Sequence, residues 1–281
     1  MEIICGKTAG FCYGINRAVN MAKEELTKRD KIYCFGELAH NPYVVEELTN
    51  MGMVTIHYLS EVEKGSTVMF RAHGVPPSAY EEASKRGLKV IDLTCPKVLK
   101  VHDIARKYKE EGAYIIITGE KGHPEILGTE GCAGKNSIVI LELEEAENLD
   151  LSDKENVVLI SQTTFSVEKF AKIEEILKKK KNDIKIIKTI CAATHERQAE
   201  TKQIAENVDL MVIIGGAKSS NTNKLYNISK EHCKEVIFAH DEKDIDRKFI
   251  CKFNKIGVMA GASAPQELIQ RVIEKIKGDK D

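Results

Sequence analysis

The feature that most constrains this chain is a spacing that recurs three times. From Cys12 to His40, from Cys95 to His123 and from Cys191 to Ser219 the interval is 28 residues. Each cysteine follows a short apolar segment: Glu2–Ile4, Val90–Leu93 and Ile184–Ile190. Each then opens a helical pattern, over Ile15–Leu26, Val98–Tyr108 and Glu196–Ala205. Every helix leads into a β-rich run (Lys31–Phe35, Ala113–Thr118, Val208–Ile214) and a polar, glycine-bearing loop that holds the residue at the 28-residue mark. A further strand follows in each copy. It ends in the polar turns Arg71-Ala72-His73-Gly74, Ser161-Gln162-Thr163-Thr164 and Ala260-Gly261-Ala262-Ser263. A long-period repeat of this kind means three copies of one supersecondary plan.

Apolar strands alternating with helices imply an α/β fold with mostly parallel sheets covered by helices. In such sheets the loops beyond the carboxyl ends of the strands form the ligand crevice, and the polar loops here are of that kind. The expected units are 1–87 with Cys12, 88–182 with Cys95 and 183–281 with Cys191. Three similar units are expected to pack around a pseudo-threefold axis, bringing their cysteines to the centre.

Bulk properties narrow the function. Lys plus Arg is 42 and Asp plus Glu 43, so no broadly basic nucleic-acid surface is indicated. No apolar run approaches the ~20 residues needed to cross a bilayer. The start, Met1-Glu2-Ile3-Ile4-Cys5-Gly6, lacks a basic segment ahead of an apolar core, so no signal peptide is expected and the location is read as cytoplasmic. The eight cysteines then read as thiols or metal ligands rather than disulfides. No CxxC pair, GxGxxG or GxxxxGK[ST] occurs, which disfavours a zinc ribbon, a dinucleotide fold and a P-loop.

Three converging thiolates make a soft metal site for zinc, iron or copper, and three ligands rather than four leave one position open. Buried structural cysteines are the competing reading. Cys5, Cys34 and Cys251 read as core; Cys132, in a glycine-rich loop, and Cys233, near a helix end, have no repeat partner. His40, His73 and His123, with their counterparts Thr163, Ser219 and Ser263, suit an anion, as do Ser220, Asn221 and nearby backbone N–H groups. Asn41-Pro42 and Ser263-Ala264-Pro265-Gln266 read as helix starts with a cap residue and proline just inside, and helix N-termini favour phosphate. Glu125, two residues past His123, reads either as an ordinary surface glutamate at a helix start or, beside a metal site, as the proton donor for breaking a C–O bond.

At the level of motifs the chain resembles the 4-hydroxy-3-methylbut-2-enyl diphosphate reductase family. The resemblance is carried by Gly10-Phe11-Cys12-Tyr13-Gly14, His40-Asn41-Pro42-Tyr43, Arg71-Ala72-His73-Gly74, Thr94-Cys95-Pro96 and Gly122-His123-Pro124-Glu125. It continues through Ser161-Gln162-Thr163-Thr164, Ile190-Cys191-Ala192, Lys218-Ser219-Ser220-Asn221-Thr222-Asn223 and Gly261-Ala262-Ser263-Ala264-Pro265. It implies one [4Fe–4S] cluster on Cys12, Cys95 and Cys191, with the substrate alcohol on the fourth iron. It implies a diphosphate held by His40, His73, His123, Ser219, Ser220, Asn221 and Ser263, with protons delivered by Glu125 and helped by Thr163. The implied reaction is a two-electron reductive dehydroxylation giving isopentenyl and dimethylallyl diphosphate in the methylerythritol phosphate route, with electrons from ferredoxin or flavodoxin. Cys132 departs from the family pattern, which has a residue such as Gln there. The competing classes are a redox-neutral iron–sulfur hydro-lyase, a non-catalytic cluster protein and a zinc site.

Overall fold

The computed structural model describes residues 1–278. In chain order the elements are β1 (Glu2–Cys5), α1 (Tyr13–Leu26), β2 (Ile32–Phe35), α2 (Pro42–Asn50), β3 (Met53–Ile56), β4 (Thr67–Phe70), α3 (Pro77–Lys85), β5 (Lys89–Asp92) and α4 (Pro96–Glu110). Next come β6 (Tyr114–Thr118), α5 (Pro124–Ala133), β7 (Ser137–Ile140), α6 (Leu143–Asn148), β8 (Val157–Ser161), α7 (Val167–Lys180) and β9 (Lys185–Ile186). Then follow α8 (Ala192–Ala205), β10 (Leu210–Ile214), α9 (Ser220–His232), β11 (Glu235–Ala239), α10 (Arg247–Ile250), β12 (Lys255–Ala260) and α11 (Gln266–Lys277). They form two compact units. The larger comprises Arg17–Leu38 and Leu48–Cys191; the smaller comprises Met1–Asn16, Ala39–Glu47 and the chain from Ala192 onward.

The larger unit holds two four-stranded sheets, ordered β3-β2-β4-β5 and β7-β6-β8-β9. The smaller holds one, ordered β11-β10-β12-β1. Every pairing is parallel. This is the α/β architecture of three similar sheets that the repeat implies. Parallel sheets are buried on both faces, so their strands read as unbroken apolar runs. In β6, Ile115 and Ile117 enter one core and Ile116 the other. In β10, Leu210, Val212 and Ile214 enter one core and Met211 and Ile213 the other. No helix among the described residues is long and apolar enough to cross a membrane.

All three sheets share one order: second strand, first strand, third strand, fourth strand. The fourth strand leads to a cysteine each time, β5 to Cys95, β9 to Cys191 and β1 to Cys12. In the third sheet that slot is filled from the far end of the sequence, with Glu2 to Cys5 in register with Lys255 to Val258. Residues 89–92 and 185–186, which follow the expected breaks at 87/88 and 182/183, extend the sheet of the strands before them. A sequence repeat marks the period and not the slot, since a parallel strand pairs equally well with either neighbour.

Three local expectations change. β9 covers only Lys185–Ile186, not the whole apolar stretch to Ile190. Ser263 is not a helix cap: α11 starts at Gln266 with Pro265 as N-cap and no side-chain cap bond. Cys132 lies inside α5 and is buried, because the glycines beside it let helices and turns approach closely: a Cβ on Gly131 would sit 2.7 Å from Pro76.

Candidate functional site

In the larger unit, the loops after first and third strands are neighbours because those strands pair, with Thr118 opposite Ser161 in the second sheet. This register brings Glu125 and Thr163 together. The Thr163 backbone N–H donates to Glu125 Oε1 at 2.5 Å and the Thr163 hydroxyl donates to Oε2 at 2.8 Å. Glu125 is 2% exposed. Burial pushes its carboxyl up to about 7, and the two bonds from Thr163 only partly oppose that. The group therefore changes protonation near neutral pH, as a general acid must.

His123 is the N-cap of α5, with Pro124 as first helical residue. Its Nδ1 accepts from the Glu125 backbone N–H at 3.1 Å. An accepting Nδ1 fixes the neutral tautomer with its proton on Nε2, which makes Nε2 a donor. The ring of His73 stands edge-on to that of His123, centroids 5.4 Å apart and planes at 86°. Gly74, at φ 80°, completes the His73 turn, and a Cβ there would lie 2.9 Å from His102. His102 is a buried residue that sequence reasoning missed. It sits on α4 between Gly74 and Gly128, and burial lowers its ring to about 4, so it is neutral and supports the turn from beneath. Its position seven residues past Cys95, on the apolar face of α4, is the only signal of this in the sequence.

In the smaller unit Ser219 caps α9, its hydroxyl oxygen accepting from the Thr222 N–H at 3.3 Å. The hydroxyl proton remains to donate outward, the same device as at His123. Asn221 is 3% exposed, and neither its Oδ1 nor its Nδ2 has a partner among the described residues. A buried primary amide left this way costs stability unless something completes it, and a polar ligand at the helix N-terminus would do so. Ser220 Oγ accepts from Lys224 Nζ at 3.0 Å. Ser263 Oγ donates to the His40 carbonyl at 3.4 Å. Asn41, not His40, caps α2, accepting from the Tyr43 N–H at 3.0 Å.

The three repeat cysteines share one backbone contact. The N–H of Cys12 donates to Ala262 O at 3.1 Å, that of Cys95 to Ala72 O at 3.0 Å and that of Cys191 to Thr163 O at 3.0 Å. Each acceptor lies in the polar turn after a third strand. None of the three is in a disulfide, and all are of intermediate exposure. Cys95 is the N-cap of α4 with no side-chain cap bond. Of the other five, Cys34, Cys132 and Cys233 are buried. Cys5 and Cys251 are exposed rather than core, because β1 is an edge strand and Cys251 lies just past the short α10. Cys132 Sγ accepts from Arg106 Nη1 at 3.3 Å and packs in the core under β6.

The raised carboxyl of Glu125 has a consequence for stability. A carboxyl near 4.5 in the unfolded chain and near 7 in the fold holds its proton more tightly when folded. Its contribution is complete below about pH 4.5 and is lost as pH rises through 7, a change of about 3 kcal/mol. Denaturant unfolding of the protein between pH 4.5 and 8 should show this slope in wild type and lack that share of it in Glu125→Gln. Parallel curves for the two proteins would refute the assignment.

A family model described as LytB protein matches residues 3–277. The chain is 38% identical over 284 residues to a 4-hydroxy-3-methylbut-2-enyl diphosphate reductase of Caldanaerobacter subterraneus subsp. tengcongensis, covering 100% of this chain and 98% of that one. It is 38% identical over 283 residues to the enzyme of the same name from Aquifex aeolicus, covering 99% of this chain and 96% of that one. Among solved structures, the E-1-hydroxy-2-methyl-but-2-enyl-4-diphosphate reductase of Plasmodium falciparum superposes with a TM-score of 0.93 at 30% identity, over 97% of this chain and 87% of that one.

Proposed function

Because the chain belongs to the LytB family, we infer that it is a 4-hydroxy-3-methylbut-2-enyl diphosphate reductase, an oxidoreductase of isoprenoid biosynthesis. It adds two electrons and two protons to the allylic alcohol, breaks the C–O bond, and releases water with isopentenyl or dimethylallyl diphosphate. The observation that carries this reading is the buried Glu125–Thr163 pair beside His123. A carboxyl that holds its proton near pH 7 within a polar loop cluster suits protonation of a departing hydroxyl.

The residues present fit an iron–sulfur cluster. Cys12, Cys95 and Cys191 are uncrosslinked, partly exposed and tied at the backbone to equivalent turns, which suits thiolate ligands. When bound, the cluster supplies the electrons and a Lewis-acidic iron for the substrate hydroxyl. The chain's own residues do the rest. His123 donates from Nε2 to a diphosphate oxygen, with His40 and His73 as its companions. The family resemblance gives Ser219, Ser220, Asn221 and Ser263 a diphosphate-binding role too, and the first three lie at the N-terminus of α9, the kind of helix end that favours anions. Binding at this remote group positions the reacting carbon. Thr163 orients the Glu125 carboxyl, which delivers the proton. A ferredoxin or flavodoxin supplies the electrons, and the cytoplasm, where thiols stay reduced, suits such a site.

The test is anaerobic turnover of reconstituted protein. Product forms with a reduced low-potential donor and does not form without one. Turnover with an intact cluster and no reductant would replace the reductase by a redox-neutral hydro-lyase.

A further inference from the structure

We propose that Arg197 and Glu200 are positioning residues that hold the loop of Cys12 and so set that thiol's place; this rests on the reading of Cys12 as a cluster ligand. The three cysteines leave their edge strands by loops of different length. β5 ends three residues before Cys95, and Asp92 closes that turn by accepting from the Thr94 N–H at 2.9 Å. Ahead of Cys191, Thr189 Oγ1 accepts from the Ser161 N–H at 2.7 Å and bonds the Ser161 carbonyl at 2.7 Å. β1 ends at Cys5, seven residues before Cys12, and the intervening loop contains Gly10 at φ 106°.

That longer loop is held by side chains from α8. Arg197 Nε and Nη2 donate to the Thr8 carbonyl at 2.8 and 2.6 Å, and Nη2 also donates to the Gly10 carbonyl at 2.8 Å. One turn on, the Glu200 carboxylate accepts from the Lys7 N–H at 2.8 Å, the Thr8 N–H at 2.8 Å and the Thr8 hydroxyl at 2.5 Å. Arg197 is 3% exposed. A guanidinium buried on carbonyls is a costly way to hold a surface loop unless that loop's geometry matters. Only a planar fork reaches both carbonyls at once, and lysine does not replace it. The helix that begins one residue after Cys191 thus fixes the loop that leads to Cys12.

The experiment measures alkylation of each cysteine in reduced, cluster-free protein by peptide mass spectrometry. Exposed Cys251, far from this loop in sequence, serves as the internal standard. In Arg197→Gln the rate at Cys12 rises by at least about tenfold, the factor that loss of even one of its three charge-assisted hydrogen bonds sets. Cys95 and Cys191 keep their wild-type rates. Arg197→Lys gives a partial rise, and Glu200→Gln raises the Cys12 rate independently should Arg197→Gln fold poorly. In the loaded protein the same variants lose iron faster on exposure to air, seen as growth of a three-iron paramagnetic signal. Equal acceleration at all three cysteines, or an unchanged Cys12 in every variant, overturns the clamp. Full iron and sulfide in Cys12→Ser overturns the ligand reading instead, and the alkylation result then stands on its own.

Discussion

Glu125→Gln lowers turnover at least about 100-fold while leaving the iron–sulfur absorption of the protein intact. Glutamine keeps the volume of the side chain, and its carbonyl still accepts from the Thr163 N–H that now meets Glu125 Oε1. What it lacks is a removable proton. The pH profile separates this from a packing defect. In wild type the acid form of Glu125 is required, so the rate falls as pH rises above about 7. The residual rate of the variant lacks that limb. Steady-state turnover with a reduced donor under anaerobic conditions reads both effects, and near-normal turnover would remove Glu125 from the mechanism.

Cys95→Ser abolishes cluster retention, with bound iron and acid-labile sulfide falling at least about tenfold, because a hydroxyl is a harder and poorer ligand for iron than a thiolate. The substitution is nearly isosteric, and the Cys95 N–H bond to Ala72 and the start of α4 do not depend on the sulfur. The fold therefore persists, and circular dichroism should match wild type. Cys132→Ser is the control. Its sulfur is buried against Arg106 in a hydrophobic core, so that variant loses some stability and no iron. Iron and sulfide analysis after anaerobic reconstitution decides the matter: a Cys95→Ser protein with wild-type content would dismiss Cys95 as a ligand.

The sequence made the strand and helix alternation legible because every sheet is parallel and buried on both faces, so that Ile115–Ile117 and Leu210–Ile214 stand out as apolar runs. It made the cysteines and the 28-residue loops legible because they repeat. It did not reveal which sheet receives each cysteine's strand, since β1, β5 and β9 carry no mark of their partner. Nor did it reveal that Glu125 is buried: one carboxylate past a proline looks like a helix-start glutamate, and only the Thr118–Ser161 register places Thr163 against it. Arg197 and Glu200 were invisible for a related reason. On α8 they read as ordinary polar positions, and their partners are backbone groups far earlier in the chain. Cys5 and Cys251 misled in the other direction, being apolar by type yet exposed at an edge strand and beside a short helix.

The placement of β1 bears on how the protein is made. Cys12 leaves the ribosome early, yet the strand before it pairs only with β12, and the amide of Cys12 itself bonds to Ala262. Nascent chains fold largely from the N-terminus as they emerge. Here the first proposed ligand to be synthesised waits for β12 before its strand has a sheet to join. On the reading of Cys12 as a cluster ligand, loading is thereby expected to wait until the third sheet has been translated.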